Sequence, residues 1–348
     1  MLRVEMLPAR HGDALWIEYG DPGDPHHVLI DGGPRSRAIR DLLAERVAET
    51  DLELLVVTHI DADHISGVLA VLADPAVPVS ARDVWFNGWE HLPSDVLGAK
   101  QGEALGAAIR RRRLSWNGDF GGRAAVVPDE GGLPVVGLPG GMELTLLSPT
   151  PRELAALRPV WKEEVEKAGL VPGAAAAEAA AAHPDLLGDR PIDLDELAAE
   201  PFEEDPSEAN GASIAVLAEF RGKAVLLTGD AHGGVLAAGL RRLAAGRGVD
   251  RVRVDAFKLP HHGSKHNLSP EVLGLIECDR FLFSTNGDIY RHPDPVAVSR
   301  VLTTTEEAAL EFNYRTETTN RWDSARMRRR HGYRAAFPDD GEGLAVEI

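Results

Sequence analysis

Thr58-His59-Ile60-Asp61-Ala62-Asp63-His64 follows directly on the apolar run Leu54-Leu55-Val56-Val57. A short apolar run of that kind reads as a buried strand. The stretch after it packs four metal-capable side chains, His59, Asp61, Asp63 and His64, into six residues. A strand that ends in imidazoles and carboxylates offers borderline and hard ligands from a rigid base, as a catalytic metal site requires. A calcium loop is the plainer alternative. It wants Asp at alternate positions, Gly at the sixth and a late Glu. Asp61, Asp63 and Gly67 meet that pattern only in part, and histidine is a poor calcium ligand.

Working outward, the first 75 residues read as strands at Arg3 to Leu7, Ala14 to Tyr19, His27 to Ile30 and Leu52 to Thr58. Arg35 to Glu49 has helical spacing, and a short helix is expected from Ile65 to Ala73, just after the ligand cluster. Residues 76–150 read as short strands between Gly and Pro turns. Residues 151–208 change composition, with an alanine run at 174–182 and an acidic stretch to Pro206, and read as a helical insertion outside the core. Ser213 to Phe220 and Lys223 to Thr228 form a hairpin whose second strand ends in Gly229-Asp230. Val252 to Leu259 is a strand that ends in Pro260-His261-His262-Gly263-Ser264. Helices at Val235 to Ala245, Pro270 to Glu277 and Pro295 to Leu302, with a strand at Arg280 to Ser284, complete the second half. Two strand-rich halves with helices between them predict a layered α/β sandwich, one domain over 1–348, with 76–208 as its variable region.

Three strand ends thus carry His/Asp clusters: 59–64, 230 and 261–262. If their strands are neighbours, the clusters meet at one edge. There they would hold one or two divalent ions, which lower the pKa of bound water to about 7 and give a nucleophile at neutral pH.

Composition narrows the partners. The chain is 44% hydrophobic and 26% charged, in the range of a globular protein. No run approaches the ~18 apolar residues of a membrane span. The start of the chain lacks a signal-peptide core, and the one cysteine, Cys278, excludes an intrachain disulfide and a Cys-based structural zinc site, so the cytoplasm is the expected compartment. A net charge of −18 argues against a broad nucleic-acid-binding surface. Two local basic runs, Arg110 to Arg113 and Arg326 with Arg328 to Arg330, read as solvated helix faces or, alternatively, phosphate-binding edges. There is no Gly-x-Ser-x-Gly elbow, no phosphate-binding Gly-rich loop with Lys-[Ser/Thr], and no His-Glu-x-x-His.

His59-Ile60-Asp61-Ala62-Asp63-His64 resembles the His-x-[His/Asp]-x-Asp-His signature of metallo-β-lactamase-fold hydrolases, and Leu227-Thr228-Gly229-Asp230 resembles their strand-end aspartate. Lys258-Leu259-Pro260-His261-His262-Gly263-Ser264 is similar to a segment of the hydrolase domain of the competence protein ComEC and its soluble relatives. Asn210-Gly211-Ala212-Ser213, Ser284-Thr285-Asn286-Gly287, His292-Pro293, His11-Gly12-Asp13-Ala14 and Asp31-Gly32-Gly33 fit the same branch. The resemblance covers about 1–75 and 209–300. It implies an αββα four-layer sandwich. His59 and Asp61 would serve a first metal, and Asp63 and His64 a second, joined by a histidine of the 261–262 pair, with His261 favoured over His262. Asp230 would bridge and Asp63 would orient the attacking water. His292 would donate a proton to the leaving group or contact phosphate. One or two divalent ions are implied, Zn²⁺ first and Mn²⁺ second. The reaction implied is phosphodiester cleavage of single-stranded nucleic acid or a small phosphodiester. The alternatives are hydrolysis of small esters, thioesters or lactams, and a catalytically weak binding or effector module. The sequence departs from the family at Asp61, where the commoner form has histidine, and at Glu208-Ala209-Asn210, where many relatives carry another histidine. Both changes leave the first site rich in oxygen.

Overall fold

The computed structural model describes residues 1–92, 100–167, 192–339 and 342–348. Two mixed sheets face each other. The first runs Leu344–Glu347, Leu2–Met6, Leu15–Asp21, Asp24–Ile30, Asp51–Val56 and Ser80–Ala81, with Val84–Trp85 also paired to Asp51–Val56. The second runs Arg334–Ala336, Ala309–Phe312, Arg280–Phe283, Ala256–Lys258, Lys223–Leu227, Ala215–Phe220, Glu143–Ser148 and Val135–Gly137.

The order of layers follows from which side chains are buried together. Val4, Ile17, Val28, Leu54 and Val56 pack against Leu144, Val216, Val225, Leu227 and Leu282 between the sheets. Leu29, Leu52, Leu55 and Val57 point the other way, onto Ile39, Leu43, Ile65 and Val68 of helices Arg37–Glu49 and Ala62–Ala73. Leu226, Phe257 and Phe281 likewise meet Leu240, Val272 and Val298 of helices Gly233–Arg247, Pro270–Gly274 and Pro295–Thr304. Successive strand residues alternate faces, so Leu54 and Leu55 belong to different cores. The result is the αββα sandwich. The pairing of Asp51–Val56 with Asp24–Ile30 slips by one residue at Glu53, so that Leu52 rejoins the helix face.

Several sequence expectations are corrected. The span 76–150 is not only strands and turns: Lys100–Arg112 is a helix that buries Leu105, Ala108 and Ile109. Residues 151–208 are not all outside the core, because helix Pro151–Lys167 buries Leu154, Leu157 and Trp161 at helical spacing. The alanine run at 174–182 lies outside the described residues. The strand expected from Val252 to Leu259 is two, Val252–Arg253 and Ala256–Lys258, and the first pairs with Ile276–Glu277, where helix was expected. The helix expected from Ile65 begins at Ala62. Strands Ala309–Phe312, Arg334–Ala336 and Leu344–Glu347 extend both sheets beyond the last element expected from sequence. Among the described residues, no helix is long and apolar enough to cross a membrane.

Candidate metal centre

Strands Asp51–Val56, Lys223–Leu227 and Ala256–Lys258 bring their carboxyl ends to one edge of the sandwich, where loops carry the ligand-type residues. Thr58 and His59 continue from the first strand, and Asp61 occupies the N-cap position of helix Ala62–Ala73. The Asp61 carboxylate makes no capping bond and stays available. Asp63 and His64 lie in the first turn, where the helix dipole favours a carboxylate. Two close approaches fix this turn. A Cβ on Gly12 would lie 1.8 Å from the Asp63 carbonyl oxygen, and one on Gly67 would lie 1.9 Å from that of Gly32. The His-Gly-Asp and Asp-Gly-Gly segments are therefore seats for the ligand-bearing helix.

The carboxylate of Asp230 is the hub. Its Oδ2 lies 3.2 Å from Nε2 of His64 and 3.8 Å from Nε2 of His59, His261 and His262. Asp61 Oδ2 lies 3.7 Å from His59 Nε2, and Asp63 Oδ2 lies 3.6 Å from His262 Nε2. Two sets of atoms close enough to hold one ion are His59/His64/Asp230 and Asp63/His64/His262. Asp13, Asp230 and His262 form a further set, as do Asp13, Asp31 and His64.

The outer nitrogen of each imidazole is tied to an oxygen. His64 Nδ1 donates to Asp31 Oδ2 at 2.8 Å, and His262 Nδ1 to the Ser284 carbonyl at 2.8 Å. Thr58 Oγ1 donates to Asp31 Oδ2 at 2.7 Å, so it accepts from His59 Nδ1 at 3.0 Å. His261 Nδ1 donates to Asn267 Oδ1 at 2.9 Å and lies 3.3 Å from Asp205 Oδ2. All four rings therefore keep a proton on Nδ1 and turn Nε2 inward, the second-sphere pattern of metal-ligating histidine. His261 and His262 take left-handed backbone angles (φ 46° and 56°), which side chains other than Gly rarely adopt, and this turns both rings to the cluster.

These residues fit a cation. Nε2 of His59, His64 and His262 and Oδ1 of Asp230 are buried without a hydrogen-bond partner, a costly state that an ion relieves. Packing of the surrounding atoms, then Asp63 and Asp230, push Asp61 up to about 7, although 40% of its side chain meets solvent. Burial first and His64 second push His59 down to about 4, the neutral form a metal takes. Burial would lower His64 too, but Asp230 and Asp31 outweigh it and draw positive charge into the site.

Of the sequence-based ligand candidates, His59, Asp63, His64, Asp230 and His262 fall in groups that could hold an ion, whereas Asp61 and His261 fall in none of the groups among the described residues. His261, favoured from sequence, is a fifth exposed and stands at the rim; His262 is fully buried beside Asp63 and His64. His292 stands outside the cluster with its ring 5.3 Å from that of His261. Its Nδ1 is unpartnered, and burial first, then His261, hold it well below the usual histidine range. Asn210, at the position of the absent histidine, donates to Asp205 Oδ2 at 2.6 Å and lies 3.4 Å from His261 Nδ1. Sequence reasoning missed Asp205, Asn267 and Tyr290. Asp205 was hidden in an acidic stretch, whereas Asn267, three residues past Ser264, was within reach of the motif.

The αββα layers carry, at their strand ends, a buried His/Asp cluster that could hold a metal ion. A model of the metallo-beta-lactamase superfamily matches residues 8–273, and the chain belongs to that superfamily. No curated protein matches the chain. Among solved structures it is similar to the CmlA beta-hydroxylase E377D mutant (12% identity, TM-score 0.44, covering 100% of this chain and 54% of that one). It is similar also to CmlA, a diiron beta-hydroxylase from Streptomyces venezuelae (11% identity, TM-score 0.42, 99% and 54%). A third is a Parabacteroides distasonis protein assigned as a metal-dependent hydrolase (10% identity, TM-score 0.37, 97% and 94%). The chain spans about half the length of the CmlA structures.

Proposed function

We propose that the protein is a metal-dependent phosphodiesterase. The observation that carries this reading is the inward convergence of four Nε2 atoms on Asp230, with Asp61 and Asp63 completing an oxygen-rich cup. His59, Asp61 and Asp230 would hold one ion, and Asp63, His64, His262 and Asp230 the other. The oxygen-rich side suits Mn²⁺, and the side with two imidazoles suits Zn²⁺. When bound, the ions supply an acidified water and neutralise charge on phosphoryl oxygens, as hard centres do for phosphate groups.

The chain's own residues do the rest. Asp63, partly open to solvent, orients the water through a carboxylate oxygen and accepts its proton. The water oxygen bonds to phosphorus as the bond to the leaving alcohol breaks, and the alcohol oxygen takes a proton from solvent water. His292 lines the cleft beside the cluster and would contact the leaving group there. Asp31, Thr58, Ser284 and Asn267 keep the imidazoles turned inward.

Protein reconstituted with Mn²⁺ or Zn²⁺ should cleave bis-p-nitrophenyl phosphate, and Asp63→Ala should lose at least about a hundredfold in kcat, as expected when a group that handles a proton is removed. Unchanged turnover in Asp63→Ala would sink the mechanism. Turnover of nitrocefin without phosphodiester cleavage would assign the machinery to lactams. No turnover from protein that, offered either ion, holds no metal by elemental analysis would point to a binding module.

A further inference from the structure

A cleft of about 860 Å³ opens beside the metal centre and shares His261, Tyr290 and His292 with its rim. That volume falls in the range of pockets that enclose one small molecule. Its lining speaks against a nucleic-acid strand. Six carboxylates line it, Glu200, Glu203, Glu204, Asp205, Asp294 and Glu317, against three permanent cations, Lys265, Arg291 and Arg321. Lys265 is paired with Glu200 at 3.2 Å and Arg291 with Glu317 at 3.4 Å. Among the described residues, Arg321 is the lining cation with no ion pair. A strand that carries one phosphate per nucleotide needs a row of free cations, and this cleft provides one.

The cleft does offer a flat surface. Tyr290 is 42% exposed, far more than the other tyrosines, which are buried. Its ring is backed by His292 at 6.0 Å and 25°, and by the edges of His261 at 6.3 Å and His11 at 6.4 Å. Three rings thus hold Tyr290 while part of its surface stays in solvent. His292, nine-tenths buried, lines the same cleft.

We propose that this cleft is the substrate site, and that it takes a small phosphodiester carrying one planar group that stacks on Tyr290. This rests on the phosphodiesterase reading and narrows its substrate from nucleic acid to a single small diester. Arg321 would take a second anionic or polar group at the far wall. Tyr290 sets specificity through binding and does not touch the reacting atoms.

The test uses the full chain loaded with Mn²⁺ and two variants, Tyr290→Ala and Tyr290→Phe. Stacking is worth about 1–3 kcal/mol per ring. Tyr290→Ala should therefore raise KM for bis-p-nitrophenyl phosphate on the order of tenfold, with kcat within about twofold, and Tyr290→Phe should restore KM. Single-stranded DNA should be cleaved with a kcat/KM well below that of the small diester. Equilibrium binding of thymidine 5′-monophosphate, followed by calorimetry, should weaken on the same scale in Tyr290→Ala. Equal or better cleavage of single-stranded DNA would overturn the proposal, as would unchanged KM and binding in Tyr290→Ala. If no phosphodiester is cleaved, the phosphodiesterase reading falls by itself. The binding measurement then decides the cleft, and absence of binding, or binding indifferent to Tyr290, overturns it.

Discussion

Lys258 is a cation with no exposure, and its ammonium donates to Oδ2 of Asp13, which is equally buried. Asp13 Oδ1 lies 3.3 Å from His262 Nδ1, so a charge pair sits directly behind a proposed ligand. Buried pairs are weak sources of net stability, but removing one partner strands the other charge. Asp13→Asn and Lys258→Met should each cost about 3–5 kcal/mol, while Asp13→Asn/Lys258→Met should recover most of that loss. Urea midpoints of the three variants check this, and strict additivity of the two single losses would refute it. His262 should keep its orientation in the double variant, because the Ser284 carbonyl still accepts its Nδ1 proton at 2.8 Å. The sequence shows Lys258 only as the start of a motif. Its role depends on a partner 245 residues away, which no local pattern encodes.

At the scale of elements, helix Ala62–Ala73 matters most because its first turn carries Asp63 and His64. Its other end is finished by a neighbour. Arg112 donates to the carbonyls of Leu72 at 2.7 Å and Val77 at 2.9 Å, and also to those of Val71 and Asp74. Arg111 reaches the carbonyls of Leu72 and Ala73, both at 3.2 Å. Part of the run Arg110 to Arg113, which reads from sequence as a solvated face or phosphate edge, thus caps another helix's C-terminus, where orphan carbonyls and the dipole favour cations. Arg112→Ala should destabilise the protein by about 1–3 kcal/mol, the cost of unsatisfied carbonyls, and speed amide exchange around Val71–Val77. Arg113→Gln should stay within about 0.5 kcal/mol. Equal effects would remove the capping argument. The helix that carries these arginines was hard to read because Gly102 and Gly106 interrupt it. Both are accounted for by packing: a Cβ there would lie 2.5 Å and 2.7 Å from the rings of Trp161 and Trp116. A ring that arrives from elsewhere in the fold is not visible in the helix's own periodicity.

For the whole molecule, the candidate metal centre is a clasp between two halves. His59, Asp61, Asp63 and His64 come from the first sheet's edge, and Asp230, His261 and His262 from the second's. Each cluster was legible because it terminates an apolar strand, and strand ends are where such folds display chemistry. Their convergence depended on strand order, which the sequence implies only through the family pattern. Asp205, which holds His261 together with Asn267, lies in a stretch that reads as insertion. Without an ion the clasp leaves buried nitrogens and a carboxylate oxygen unpartnered, so ion binding should couple to global stability. An ion at about a hundred times its Kd adds about 2.7 kcal/mol, which for a chain of this size is about 4 °C in Tm. Chelated protein should therefore melt lower than protein with Mn²⁺ or Zn²⁺ restored, and calorimetry reads the difference. Asp230→Asn, which leaves the four imidazoles but removes the carboxylate they surround, should abolish that shift. His292→Ala, outside the cluster, should retain it. A metal-dependent shift that survived Asp230→Asn would place the ion elsewhere and detach the clasp from the stability of the sandwich.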